Sequence, residues 1–161
     1  MISQAVVRTA LWLALGSWVG SWGFFAFVVS RIAFQVLTGD VAGDLAGALL
    51  SILHVTGAAA AAIVVGASIA LGRRGAVVGL PIVLALVCLA SEIWLSPEVA
   101  AVRPSTLGAE STMEAAQRFK RLHALSLGLF MAVHLASIIL LAWHARLDAL
   151  MSSSAAEGTH S

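Results

Sequence analysis

The sequence predicts an all-α fold: a polytopic membrane four-helix bundle with a short interfacial helix in the loop between the third and fourth spans. Three observations lead there. Apolar side chains make up 60% of the 161 residues and charged ones only 11%, with a mean hydropathy of +0.99, so the chain cannot cover a soluble domain in polar groups. The apolar residues fall into four blocks, each at or above the roughly 20 residues that a helix needs to cross a hydrocarbon core. The segments between blocks carry the turn and capping residues that end helices.

The first block covers about residues 6–37 and includes ALWLALGSWVGSWGFFAFVVS. It is longer than the apolar region of a secretory signal and lacks a small-residue cleavage site, so a retained helix is expected. The Gly16-x-x-x-Gly20 and Ser17-x-x-x-Ser21 spacings, extended by Gly23, give this helix a smooth strip for close packing. The turn LTGDVAGD, with Asp40 and Asp44, is expected to end it, and the second span covers about 45–71, interrupted by His54 and Thr56.

Gly72-Arg73-Arg74-Gly75 reads as a tight turn. A third span follows over about 76–95, with Pro81 near its start, where a missing amide donor costs least. Ser96-Pro97-Glu98 has the order of an N-cap, first-turn proline and acidic residue, which predicts the short interfacial helix to about Val102, stopped by Pro104. Ser111-x-x-Glu114 reads as a capping box opening a fourth helix over about 112–146. At about 1.5 Å per residue that helix is roughly 50 Å long, so its first turns, EAAQRFKRLH, stand outside the hydrocarbon. Residues 1–149 form a single transmembrane domain, and the small, polar tail 150–161 is expected to be disordered.

Arg8, Arg73, Arg74 and Arg146 lie on one side of the membrane and Arg103, Arg118, Lys120 and Arg121 on the other. Loop lengths and the acidic residues of the second side favour both termini in the cytoplasm. Trp12 and Trp143 then belong to the inner interface and Trp94 to the outer one. The alanine-rich composition suggests a bacterial inner membrane.

Three stretches carry a resemblance: GSWVGSWGFFAFVVSRIAF in the first helix, LSILHVTG in the second, and SEIWLSPEVAAVR followed by FKRLHALSLGL. The most specific part is Ser96, Pro97 and Arg103 with Phe119, Arg121, Leu122, His123 and Ser126. The chain resembles the transmembrane-protein-205-like family, also catalogued as domain of unknown function 4149. The resemblance extends to about Trp143 and implies a four-helix membrane domain without an established activity.

An ionisable side chain at bilayer depth costs about 2.5 to 3.5 kcal/mol, so each should face the bundle interior or water. The topology brings Arg31, Glu92, Arg103 and His123 to one membrane face, where Glu92 is expected to accept from Arg31 or Arg103. The cluster either staples the long loop onto the helix ends or forms an entry site for a charged ligand, and spacing does not separate the two. On the fourth helix, His123, Ser126, Phe130, His134 and Ser137 recur at three- and four-residue steps and share an inward face.

His54 and His134 lie at equal depth, roughly 15 Å in. They can meet as axial ligands of a b-type haem or at a copper or zinc site, or each can be a neutral, hydrogen-bonded histidine. No cofactor is expected on balance. The single Cys88 lies in an apolar run without metal-ligand spacing and reads as core. No H-E-x-x-H, G-x-S-x-G or phosphate-cradling loop is present, so an enzyme is not expected. A net charge of +1 gives no footprint for nucleic acid. The expected function is a structural or partner-binding membrane component, touching lipid and another membrane protein or itself. The alternatives are a haem- or metal-handling protein using His54 and His134, and a small permeation or efflux component.

Overall fold

A computed structural model describes residues 3–103 and 112–157. Four helices are long and apolar enough to cross a membrane: α1 (Gln4–Val36), α2 (Gly39–Ala70), α3 (Ala76–Val102) and α4 (Met113–Glu157). No strand occurs among the described residues. Each helix packs along its two neighbours in the order α1–α2–α3–α4–α1, while among the described residues neither diagonal pair comes into close backbone contact. This is the square cross-section of an up-and-down bundle.

The helix ends show why the chain turns where it does. Leu37 is extended and Thr38 is the N-cap of α2, so Asp40 lies in the first turn of α2 and Asp44 one turn on. The expectation that α2 begins near Leu45 is corrected by these two carboxylates, which a helix N-terminus favours. At the other end of α2, Gly72 takes φ +72°. Its N–H donates to Ile69 O and that of Arg73 to Ser68 O, each 2.9 Å, a Schellman motif requiring a left-handed residue at that glycine. Gly75, at φ 72° and ψ −138°, caps α3 in a region that only glycine enters readily. Pro81 is buried inside α3, in its second turn rather than at its start.

Two π turns interrupt the α pitch, Phe25–Val29 in α1 and Ser91–Leu95 in α3. The second bears on the short helix expected at residues 96–102. Ser96–Val102 is helical, but it continues α3 instead of standing apart, because Ser96 is helical and its N–H reaches back to Ser91 O. The widened turn just before Pro97 makes room for the proline ring that would otherwise break the helix.

The N-cap of α4 is Thr112, whose Oγ1 accepts from Ala115 N at 3.2 Å. Pro104 and Ser111, to which a stop and a capping box were assigned, lie outside the described residues. α4 runs on to Glu157, so residues 150–157 of the tail expected to be disordered are helical, while 158–161 lie outside the described residues. Residues 151–157 contain neither glycine nor proline, and Ser153 Oγ donates to Leu150 O at 2.9 Å.

Two apolar clusters stack along the bundle. Leu11, Leu15, Val64 and Leu140 fill the end near Arg73, and Trp18, Trp22, Phe25, Leu84, Cys88 and Phe130 fill the middle. Lipid is as apolar as these side chains, so close packing rather than transfer from water selects this arrangement. Exposed Phe24, Ile52, Leu86 and Ile139 on the outside follow from the same solvent.

Candidate functional site

The π turn of α3 aims Glu92 across the boundary with α2. Ser51 Oγ donates to Glu92 Oε1 at 2.5 Å, and His54 Nδ1 lies 3.4 Å from Oε2. His54 is residue 16 of the 32 in α2, so this acid–imidazole pair sits about 24 Å from the helix end, at mid-bundle. The expected bond from Arg31 or Arg103 to Glu92 is therefore corrected. Glu92 lies deeper than those arginines, and Ser51 and His54, one turn apart on α2, meet it first.

Trp22 separates this pair from the rest of the interior. Its ring tilts against His54 at 6.1 Å and stacks on Phe130 at 4.6 Å with an interplanar angle of 3°. Phe130 in turn lies 6.4 Å from the ring of His134. Ring contacts thus run from His54 through Trp22 and Phe130 to His134, and no direct contact joins the two histidines. His134 instead packs over Gly23, where a Cβ would come within 3.5 Å of Cε1. Among the described residues no group of three or more His, Cys, Asp or Glu is placed to hold a metal ion.

Beyond Phe130, the bundle opens. Below its π turn α1 approaches α4 closely, but the segment Phe25–Val36 does not. A cavity of about 530 Å³ fills the gap, walled by α1, the first half of α2, the end of α3 and the start of α4. His123 and Ser126 of the α4 stripe line it, with Phe130 at its inner end. Phe27 and Phe34 on α1 and Leu127 on α4 are exposed lining residues, so the cavity communicates with the bilayer between these helices.

Arg103 forms part of the wall. It donates to Gly43 O at 2.8 Å and pairs with Asp44 at 2.8 Å, lying flat across α2 where a Cβ on Gly47 would strike its guanidinium. Of the four residues assigned to one polar cluster, the cavity gathers Arg103 and His123, Glu92 is held by Ser51 and His54, and Arg31 is exposed without an ion pair among the described residues. Arg118 pairs with Glu98 at the same end. Arg103 acts as a staple between α3 and α2.

Sequence reasoning missed a second polar centre, at the opposite end. Buried Arg73 pairs with Asp148 Oδ1 at 2.5 Å and bonds to the buried ring of His144. Trp12 Nε1 donates to Asp148 Oδ2 at 3.1 Å. Three helix ends are thereby tied together. The available signal was the four-residue spacing of His144 and Asp148, which places both on one face of α4 at the depth of the Arg-Arg turn.

Gly16 and Gly20 face outward, and a Cβ on either would meet nothing within 4 Å. The internal packing of α1 uses Trp18 and Trp22 on its other face.

A chain whose described residues are helical, with four spans of membrane length, is a multi-pass membrane protein. Residues 13–107 match the model of a domain of unknown function, DUF4149, and the chain belongs to that family. Neither a curated protein nor a solved structure matches it significantly.

Proposed function

We propose that the protein is a membrane-embedded binding protein whose ligand enters from the bilayer through the gap between α1 and α4. The observation that carries this reading is the divergence of α1 from α4 beyond the π turn, with a cavity of about 530 Å³ in the space it leaves. That volume is in the range of roughly 300–1,000 Å³ typical of small-molecule sites. A hydrophobic photoreactive probe in nanodiscs tests it. Label is expected on the stretch of α4 around Phe130 and Met131, falling when Ser126→Phe fills the cavity. Label spread evenly over the lipid-facing surface in both proteins overturns the reading. The reading is nearer to a permeation or efflux component than to a purely structural one.

A second reading is lateral association with another membrane protein or a second copy, supported by the open Gly16–Gly20 face of α1. Joint ligation of haem or metal by His54 and His134 has less support, since Trp22 and Phe130 would have to give way. The narrower kinship with transmembrane-protein-205-like proteins rests on Phe119, Arg121, Leu122, His123 and Ser126, beyond the matched segment. Placement in a bacterial inner membrane with cytoplasmic termini rests on composition and loop length.

A further inference from the structure

We propose that the cavity between α1 and α4 takes a lipophilic cation, its apolar groups among the phenylalanine rings and its charge toward Asp40. This rests on the cavity being a binding site, as argued above. Five of the six phenylalanines in the sequence, Phe25, Phe27, Phe34, Phe119 and Phe130, line this one cavity. They come from two helices and from positions 94 residues apart between Phe25 and Phe119, so neither local composition nor a single helix face accounts for their convergence. Phenyl rings present a negative face, and a cation within about 6 Å of a ring centroid is attracted to it.

The charges on the wall point the same way. Asp40 lines the cavity at the start of α2. It forms no ion pair among the described residues. Among the described lining residues the one guanidinium, Arg103, is engaged by Asp44 and Gly43 O. His123, the remaining titratable group of the lining, stacks on Phe119 at 5.4 Å. Arg31, Lys120 and Arg121 are exposed nearby but do not line the cavity. Water and salt screen such charges beyond about 8–10 Å. Among the described lining residues a bound cation therefore meets one carboxylate outside any ion pair and several phenyl rings, which disfavour an anion of equal shape.

Two ions of nearly identical shape and opposite charge supply the test: radiolabelled tetraphenylphosphonium and tetraphenylborate, each bound separately to the purified full chain in neutral detergent with empty micelles as blank. Work at pH 8 keeps imidazole protonation out of the comparison. Tetraphenylphosphonium is expected to bind at least about tenfold more tightly than the borate, and Asp40→Asn to weaken it by about tenfold without weakening the borate. Equal binding of the two ions, or an unchanged phosphonium affinity in Asp40→Asn, overturns the charge assignment while leaving the cavity as a site. If neither ion binds, or if Ser126→Phe leaves binding unaltered, the cavity reading falls and the proposal with it. Circular dichroism and gel filtration of each variant separate lost binding from lost fold.

Discussion

His54 Nδ1 and Glu92 Oε2 stand 3.4 Å apart between the middles of α2 and α3. A carboxylate at this depth needs donors, and Ser51 supplies one from the face of α2 that also carries the His54 ring. Glu92→Leu should destabilise the bundle by about 1 kcal/mol, the scale of polar contacts between membrane helices, and Glu92→Gln by less because the amide retains the Ser51 bond. Reversible unfolding in mixed micelles reads the difference. Equal losses for both variants would mean that the pair contributes little.

At the other end, Arg73 and Arg74 are adjacent in sequence but differ in surroundings. Arg73 is buried against Asp148 and His144, while Arg74 is exposed. Arg73→Ala strands a carboxylate and should cost about 3 kcal/mol, whereas Arg74→Ala should stay within about 0.5 kcal/mol. The double change Arg73→Met with Asp148→Leu should recover much of the loss. Thermal melting of the four proteins checks this order.

Gly57 is packed on its open side by three side chains. A Cβ there would lie 3.2 Å from both Trp18 Nε1 and Trp22 Cζ2 and 3.4 Å from Cys88 Sγ. Indoles inside a packed bundle yield little, so Gly57→Ala should cost about 1–3 kcal/mol. Gly66→Ala on the same helix, where a Cβ meets nothing within 4 Å, should be neutral or slightly stabilising. A comparison of melting temperatures decides.

Gly47 and Arg103 should be energetically coupled. Adding a methyl at Gly47 displaces the guanidinium from Asp44, so Gly47→Ala should cost about 1 kcal/mol in the native chain but almost nothing once Arg103→Ala is present. A double-mutant cycle measures the coupling, and strict additivity would show that the arginine moves aside without loss.

Gly20→Leu places a bulky side chain where the bundle itself has no neighbour. Monomer stability should be unchanged, and any complex formed through that face of α1 should disappear from cross-linked native membranes. Persistence of the complex would locate the contact elsewhere.

The spans were legible because backbone amides in oil must be satisfied within their own helix, which makes length and hydropathy sufficient. Polar partners were harder to read. Glu92 was assigned to the membrane face because its span was expected to end at Leu95. The π turn carries α3 on to Val102 and leaves Glu92 farther from the helix end, beside His54. No residue type announces a π turn, so that depth was hidden. The stripe of His123, Ser126 and Phe130 was visible as periodicity, yet the cavity it lines depends on how α1 leans, which spacing along α4 does not encode. Trp12 and Asp148 come from α1 and α4 and Arg73 from the turn between α2 and α3, and only tertiary packing brings them together.

Each π turn holds one residue more than the α pitch requires. Returning that residue to ordinary pitch twists everything beyond it by about 100° while the portion below stays clamped. The far segments of the two odd-numbered helices are thus set about 100° from where an unbroken α pitch would leave them, with Phe34 on one and Arg103 at the end of the other. Both residues line the slot between α1 and α4, so one inserted residue in each helix sets what the slot presents to a ligand.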